Sequence, residues 1–161
     1  MKVVYAILTV ILFVVAVVTS VSLGLTKWHI DQDINGWKDR AQVSSEPSDM
    51  MLYMSNVKSG MEKWGLTTGN AALIFDTPDK DMVLIMRTVQ QHIDQAGVLT
   101  KMDRSSPEYQ TGLDNLRGSI RELDLHAWDA WYYHDGFGTA ILCIIMWILF
   151  VVFAFLWADA W

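Results

Sequence analysis

Apolar residues in this chain concentrate in two long runs, and between them they recur at helical spacing. Val3 to Leu25 is a 23-residue stretch without a charge, and Phe137 to Trp157 is a second of 21 residues. A helix needs about 20 apolar residues to cross a hydrocarbon core of roughly 30 Å, so each run is long enough to span a bilayer. The first run exceeds the 7 to 15 apolar residues usual in a cleaved leader, although Ser20-Val21-Ser22 has the small residues of a cleavage site. It therefore reads as an uncleaved signal anchor.

The intervening region shows four apolar stripes with a helical period. Ile30, Ile34, Trp37 and Ala41 prolong the first run, and the stripe ends near Ser44-Ser45-Glu46-Pro47. Met50, Met54, Val57, Met61 and Trp64 form the next, with Ser48 as a predicted cap and Gly65 as a left-handed stop. Residues 66–76 read as irregular, with an apolar centre tucked against the helices. Thr77-Pro78-Asp79 predicts a third helix start, with Met82, Met86, Val89 and Ile93 as its buried stripe and Gly97 as its end. Ser105-Ser106-Pro107-Glu108 opens the fourth. Its stripe of Tyr109, Leu113, Leu116, Ile120, Leu123, Ala127, Ala130 and His134 alternates by three and four and leads into the second apolar run.

The predicted fold is thus an all-α membrane protein, two transmembrane helices joined by an extramembrane helical domain read as a four-helix bundle. Its divisions are 1–27, the first span; 28–135, an acidic extracytoplasmic helical bundle; 136–157, the second span; and 158–161, a short tail. Ala16, Ser20 and Gly24 share one face of the first span, and Gly136 and Ala140 are predicted to meet them in a close helix pair.

Charge narrows the partners. From Lys27 to Asp135 there are 11 Lys and Arg against 17 Asp and Glu, a net charge of −6. That balance repels nucleic acid and anionic lipid headgroups, which leaves other membrane protein subunits and the bilayer interior as the predicted partners. Sidedness is set by short flanks. Lys2 and the amino terminus are positive, whereas Ala158 to Trp161 adds only Asp159 and a carboxylate. This favours cytoplasmic termini, with Arg117 and Arg121 arguing the other way.

Candidate chemistry gathers beside the spans. His29, Asp33, Glu122, His126, Asp129, His134 and Asp135 are predicted to form a collar there, with Glu122, His126 and Asp129 on one helical face. Imidazoles and carboxylates suit zinc, iron or copper, so His29, Asp33, His126, Asp129 and His134 are the metal candidates. The collar lacks a complete Glu-x-x-His or His-Glu-x-x-His motif, and a solvated, locally hydrogen-bonded ring is the favoured reading. Met50, Met51, Met54, Met61, Met82, Met86 and Met102 offer soft sulfur for copper(I), but most stand where core residues belong. Trp128, Trp131, Tyr132, Tyr133, Trp157 and Trp161 suit an interfacial aromatic belt.

Catalytic machinery is not apparent. The sequence has no Gly-rich phosphate loop and no G-x-S-x-G elbow, and its single Cys143 lies within the second apolar run. Neither run holds a His for axial ligation of haem, nor any ionisable residue that would mark an ion path. No cofactor is predicted. The layout of span, bundle and span is similar to the ligand-sensing part of bacterial chemoreceptors and sensor kinases, in architecture and without a shared motif. The expected function is a noncatalytic accessory subunit of a multi-subunit membrane complex, with a sensor or ligand-binding module, or a metal-binding enzyme subunit, as alternatives.

Overall fold

The computed structural model describes residues 2–72, 75–123 and 125–159. Met1, Leu73, Ile74, Asp124, Ala160 and Trp161 lie outside the described residues, as do the side chains of Lys2, Ala127, Asp135 and Asp159. The described chain is helical, in the order α1 (Lys2–Ile30), a π-helical turn (Asp31–Asn35), α2 (Gly36–Val43), α3 (Pro47–Lys63), a 3-10 turn (Pro78–Lys80), α4 (Met82–Leu99), α5 (Pro107–Glu122), α6 (Ala127–Trp131), a second π-helical turn (Tyr132–Gly136) and α7 (Phe137–Asp159). Two compact units result, one of residues 1–27 with 135–161 and one of 28–134.

In the first unit, two helices are long and apolar enough to cross a membrane. Their backbone polar groups bond within each helix, as a hydrocarbon solvent demands. The hydroxyls follow suit, Thr9 donating to the Tyr5 carbonyl at 2.8 Å and Ser20 to the Ala16 carbonyl at 2.7 Å. Antiparallel pairing is fixed by side chains: Trp147 Nε1 donates to Ser20 Oγ at 3.1 Å, and Cys143 Sγ lies 3.3 Å from the same oxygen. The Phe13 ring packs against Phe150 and Trp147, with centroids 5.3 and 6.2 Å apart. Ala16 is fully buried, as the small-residue face predicts, but nothing lies within 4 Å of a Cβ built on Gly24. The pair therefore closes at Ala16 and Ser20 and stays open at Gly24.

The second unit is a helical bundle in which α3 packs on α2 and α4, and α5 packs on α2 and α4. Four residues of the predicted α3 stripe are buried, Met50, Met54, Val57 and Met61 being wholly enclosed, with Ile30, Ile34 and Ala41 in the same core, while Trp64 is half-buried. Gly65 takes φ 71°, the left-handed turn predicted for it. Where α3 crosses the first π-turn, the backbones touch, because a Cβ on Gly60 would collide with the Asp33 carbonyl oxygen.

Four local expectations are corrected. Helix α3 starts at Pro47, which needs no N–H bond at N1, so Ser48 sits inside the first turn instead of capping it. Pro78–Lys80 makes only a 3-10 turn, and the Asp81 carboxylate, accepting from the Val83 and Leu84 amides at 2.8 and 3.3 Å, starts α4. Gly97 continues as helix, and α4 runs to Leu99 on a buried stripe of Met82, Ile85, Val89, His92, Ala96 and Leu99, rotated from the predicted one. Lastly, the fourth helix is not continuous into the second apolar run. It ends at Glu122, with Leu123 extended, and Lys38 Nζ donates to the freed Leu123 carbonyl at 3.2 Å.

The described residues between α3 and α4, 64–72 and 75–81, are tied together by backbone bonds from Ala71 N to the Lys80 carbonyl and from Met82 N to the Gly69 carbonyl, both 2.9 Å. Asn70 adds a bond from Nδ2 to the Thr77 carbonyl at 2.8 Å. Leu66 and Ala71 of this segment are buried, whereas Phe75 is exposed. The loop thereby presents Lys80 at a fixed place.

Candidate functional site

Two of the collar residues, Asp33 and Asp129, are each held by donors of their own. Asp33 projects from the first π-turn, and its Oδ2 accepts from Lys63 Nζ at 2.6 Å and from Trp64 Nε1 at 2.9 Å. The Lys63 hydrogen bond is the main reason the Asp33 carboxyl titrates below its ordinary range, and the Trp64 bond and the charges of Lys63 and His29 add to it against partial burial. Trp64 also meets His134 edge to face, with centroids 5.5 Å apart at 80°. One indole thus contacts both a carboxylate and an imidazole.

Asp129 forms an ion pair with Lys80 in which both side chains are less than a third exposed. His126 lies at the N-cap position of α6 and is exposed. His29 is exposed as well, its ring edge-on to Trp28. Because the helix breaks between Glu122 and Ala127, Glu122, His126 and Asp129 do not share the single helical face that their spacing predicts. Among the described residues, no group of three or more His, Cys, Asp or Glu is placed to hold a metal ion.

The methionines follow the packing reading. Met50, Met54, Met61 and Met82 are core residues, and Met51 is partly exposed beside α4, its Sδ 3.7 Å from where a Cβ on Gly97 would stand. They fill the space between α3 and its neighbours as adaptable apolar side chains.

A site that the predicted stripes passed over lies between α4 and α5. This groove has a volume of about 440 Å³, within the range of small-molecule pockets. Thr88, Gln91, His92 and Gln95 line it from α4, and Ser119 and Glu122 from α5. His92 is only 4% exposed, and its Nδ1 is buried without a hydrogen-bond partner. Burial pushes the imidazole pKa down, so the ring is held in its neutral form. The sequence signal was available: Met82, Ile85, Val89, His92, Ala96 and Leu99 keep a three-four alternation over five turns, and a histidine on such a stripe marks a polar group inside a core.

The two arrangements offer different chemistry. The Asp33 and Asp129 clusters consist of acceptors already engaged by lysine and tryptophan donors, which suits bracing. The groove offers hydrogen-bonding side chains around a solvent-filled volume, which suits binding, while the unpartnered His92 Nδ1 is itself closed off from solvent. Comparison with family models, with curated proteins and with solved structures returns no match.

Proposed function

We propose that this chain is a two-pass membrane protein acting as a noncatalytic accessory subunit of a larger membrane assembly. On this reading α1 and α7 pack against partner helices, the termini are cytoplasmic, and the acidic domain, taken as a four-helix bundle of α2 to α5, docks on the partner outside the cytoplasm. The observation that carries it is the commitment of the collar: Asp33 is held by Lys63 and Trp64, and Asp129 by Lys80, so these carboxylates brace the domain. The outer faces of the spans add support, since none of the most apolar window of α7 is buried within the chain. That surface needs lipid or other helices to cover it.

Photo-crosslinking groups at Ile144 and Ile148, both more than half exposed on α7, test the assembly in native membranes. One or two adducts of defined mass support it, and a smear of lipid adducts alone counts against it. Sidedness is tested separately, by adding protease outside intact cells. Digestion between Lys27 and Asp135 fits the proposed orientation, and full protection reverses it.

A second reading, an extracytoplasmic ligand-binding module acting through a separate partner, is favoured by the groove between α4 and α5. Metal binding at the collar is less well supported, because among the described residues no three of the candidates are brought together.

A further inference from the structure

We propose that the segment between α3 and α4 is a third membrane contact of this chain, resting on a zwitterionic lipid surface through the exposed ring of Phe75. The inference rests on the two-pass reading and adds an interface that neither apolar helix supplies.

Exposed aromatic rings in the 28–134 unit follow a pattern. Among its described residues, the Trp and Phe side chains that are more than half exposed are Trp28, Phe75 and Trp128, at 52, 79 and 62%. Trp28 stands three residues after Leu25, the last of the first apolar run, and Trp128 nine before Phe137, the first of the second. Phe75 is remote from both runs in sequence, and contacts within the unit bring its segment beside the residues that lead into the second run.

Those contacts stand on either side of Phe75. Before it, Thr68 Oγ1 lies 3.4 Å from Tyr133 Oη, and Gly69 leaves no room for a Cβ, which would collide with the Tyr133 ring. After it, Lys80 pairs with Asp129, the neighbour of Trp128. Asn70 Nδ2 draws the two sides together by donating to the Thr77 carbonyl at 2.8 Å, two residues from Phe75. Tyr133 is four residues from Phe137. At a reach of roughly 3.6 Å per residue, the chain itself holds that anchor within about 14 Å of the start of the apolar run.

Chemistry selects lipid as the occupant. The apolar centre of residues 66–76, expected to tuck against the helices, instead leaves Phe75 in water, and such a ring gains by leaving it. Tied to the residues that precede a span, it suits the zone between headgroups and acyl chains where aromatic side chains collect. Asp76 and Asp79 follow it closely in sequence and disfavour an anionic surface, so the fit is to zwitterionic lipid.

A nitroxide attached at Asp76→Cys, in the full chain carrying Cys143→Ser and held in zwitterionic nanodiscs, tests the proposal by its accessibility to oxygen against a water-soluble nickel chelate. Labels at Val98→Cys, exposed near the end of α4, and at Ile144→Cys, exposed on α7, give the water and lipid references. The label at 76 should be shielded from nickel relative to 98 and lie shallower than 144, and Phe75→Ser should shift it toward the value at 98. Equal nickel accessibility at 76 and 98, with 144 in lipid, would overturn the proposal and leave the two-pass reading standing. Nickel accessibility at all three positions would remove both. Shielding at 76 from oxygen and nickel alike, or shielding that Phe75→Ser leaves unchanged, would mean cover by protein and would also overturn it.

Discussion

The Trp64 indole donates to Asp33 Oδ2 at 2.9 Å, joining the last turn of α3 to a π-helical turn 31 residues earlier. Lys63 reaches the same oxygen, and Gly60 brings the two backbones into contact one turn before. This corner holds the entry of the domain in place with a shared acceptor instead of apolar packing alone. A bulge of π geometry can expose a carboxylate that a regular helix would carry past its partners.

Replacing Asp33 with Asn should therefore lower domain stability by about 1 kcal/mol, since the pair is a third or more exposed and screened by solvent. The sign with pH follows from its lowered pKa. Its contribution is complete above the unfolded value near 3.8 and is lost as pH falls through the lower folded value. Denaturant titrations at pH 7 and in the acid range should show the wild-type difference shrinking as acid is added.

His92 acts in the opposite part of the pH scale. Its folded pKa lies below the unfolded 6.5, so the unfolded chain binds the extra proton first. Stability is complete above 6.5 and declines as pH drops from there toward the folded value. His92→Leu should flatten the melting temperature between pH 7.5 and pH 5, and an unchanged slope would remove His92 as its cause.

Two glycines separate close contact from simple flexibility. Gly60→Ala forces a methyl into the Asp33 carbonyl and should cost 2 kcal/mol or more, roughly the scale of overpacking. Gly118→Ala on α5 meets nothing within 4 Å and should stabilise the helix by about 0.5 to 1 kcal/mol. Thermal unfolding of the two variants should shift in opposite directions.

In the paired apolar helices, Ser20 Oγ lies 3.3 Å from Cys143 Sγ. Ser20→Cys should form a disulfide with Cys143 under mild oxidation, detected as a faster-migrating monomer that reverts with reductant. Ser22→Cys, two residues on and exposed, should not. Crosslinking of both alike would contradict the helix register.

The sequence carried some of these elements openly and hid others. Met50, Met54, Val57 and Met61 repeat so regularly before Gly65 that the α3 core follows from spacing alone. The break at Leu123 did not, because Leu116, Ile120, Leu123, Ala127 and Ala130 keep an uninterrupted helical rhythm with no Gly or Pro between Ile120 and Ala130. What ends α5 is a distant group, Lys38, satisfying the freed carbonyl, and a tertiary bond of that kind leaves no local mark. The π-turn at Asp31–Asn35 is equally silent, and it sets where Asp33 points. The collar was visible as a list of ligand types, but Lys63 and Lys80, which claim its acids, came from elements whose placement no periodicity reveals. The groove was missed for a simpler reason: choosing Met86 and Ile93 for the α4 stripe turned His92 outward.

The most direct test of the accessory-subunit account is gentle purification of the native protein from its own membranes, with mass spectrometry of whatever accompanies it. The account predicts recovery in fixed ratio with other membrane subunits, whose identity would then name the reaction. Recovery alone, as a monomer or a homodimer, would contradict it.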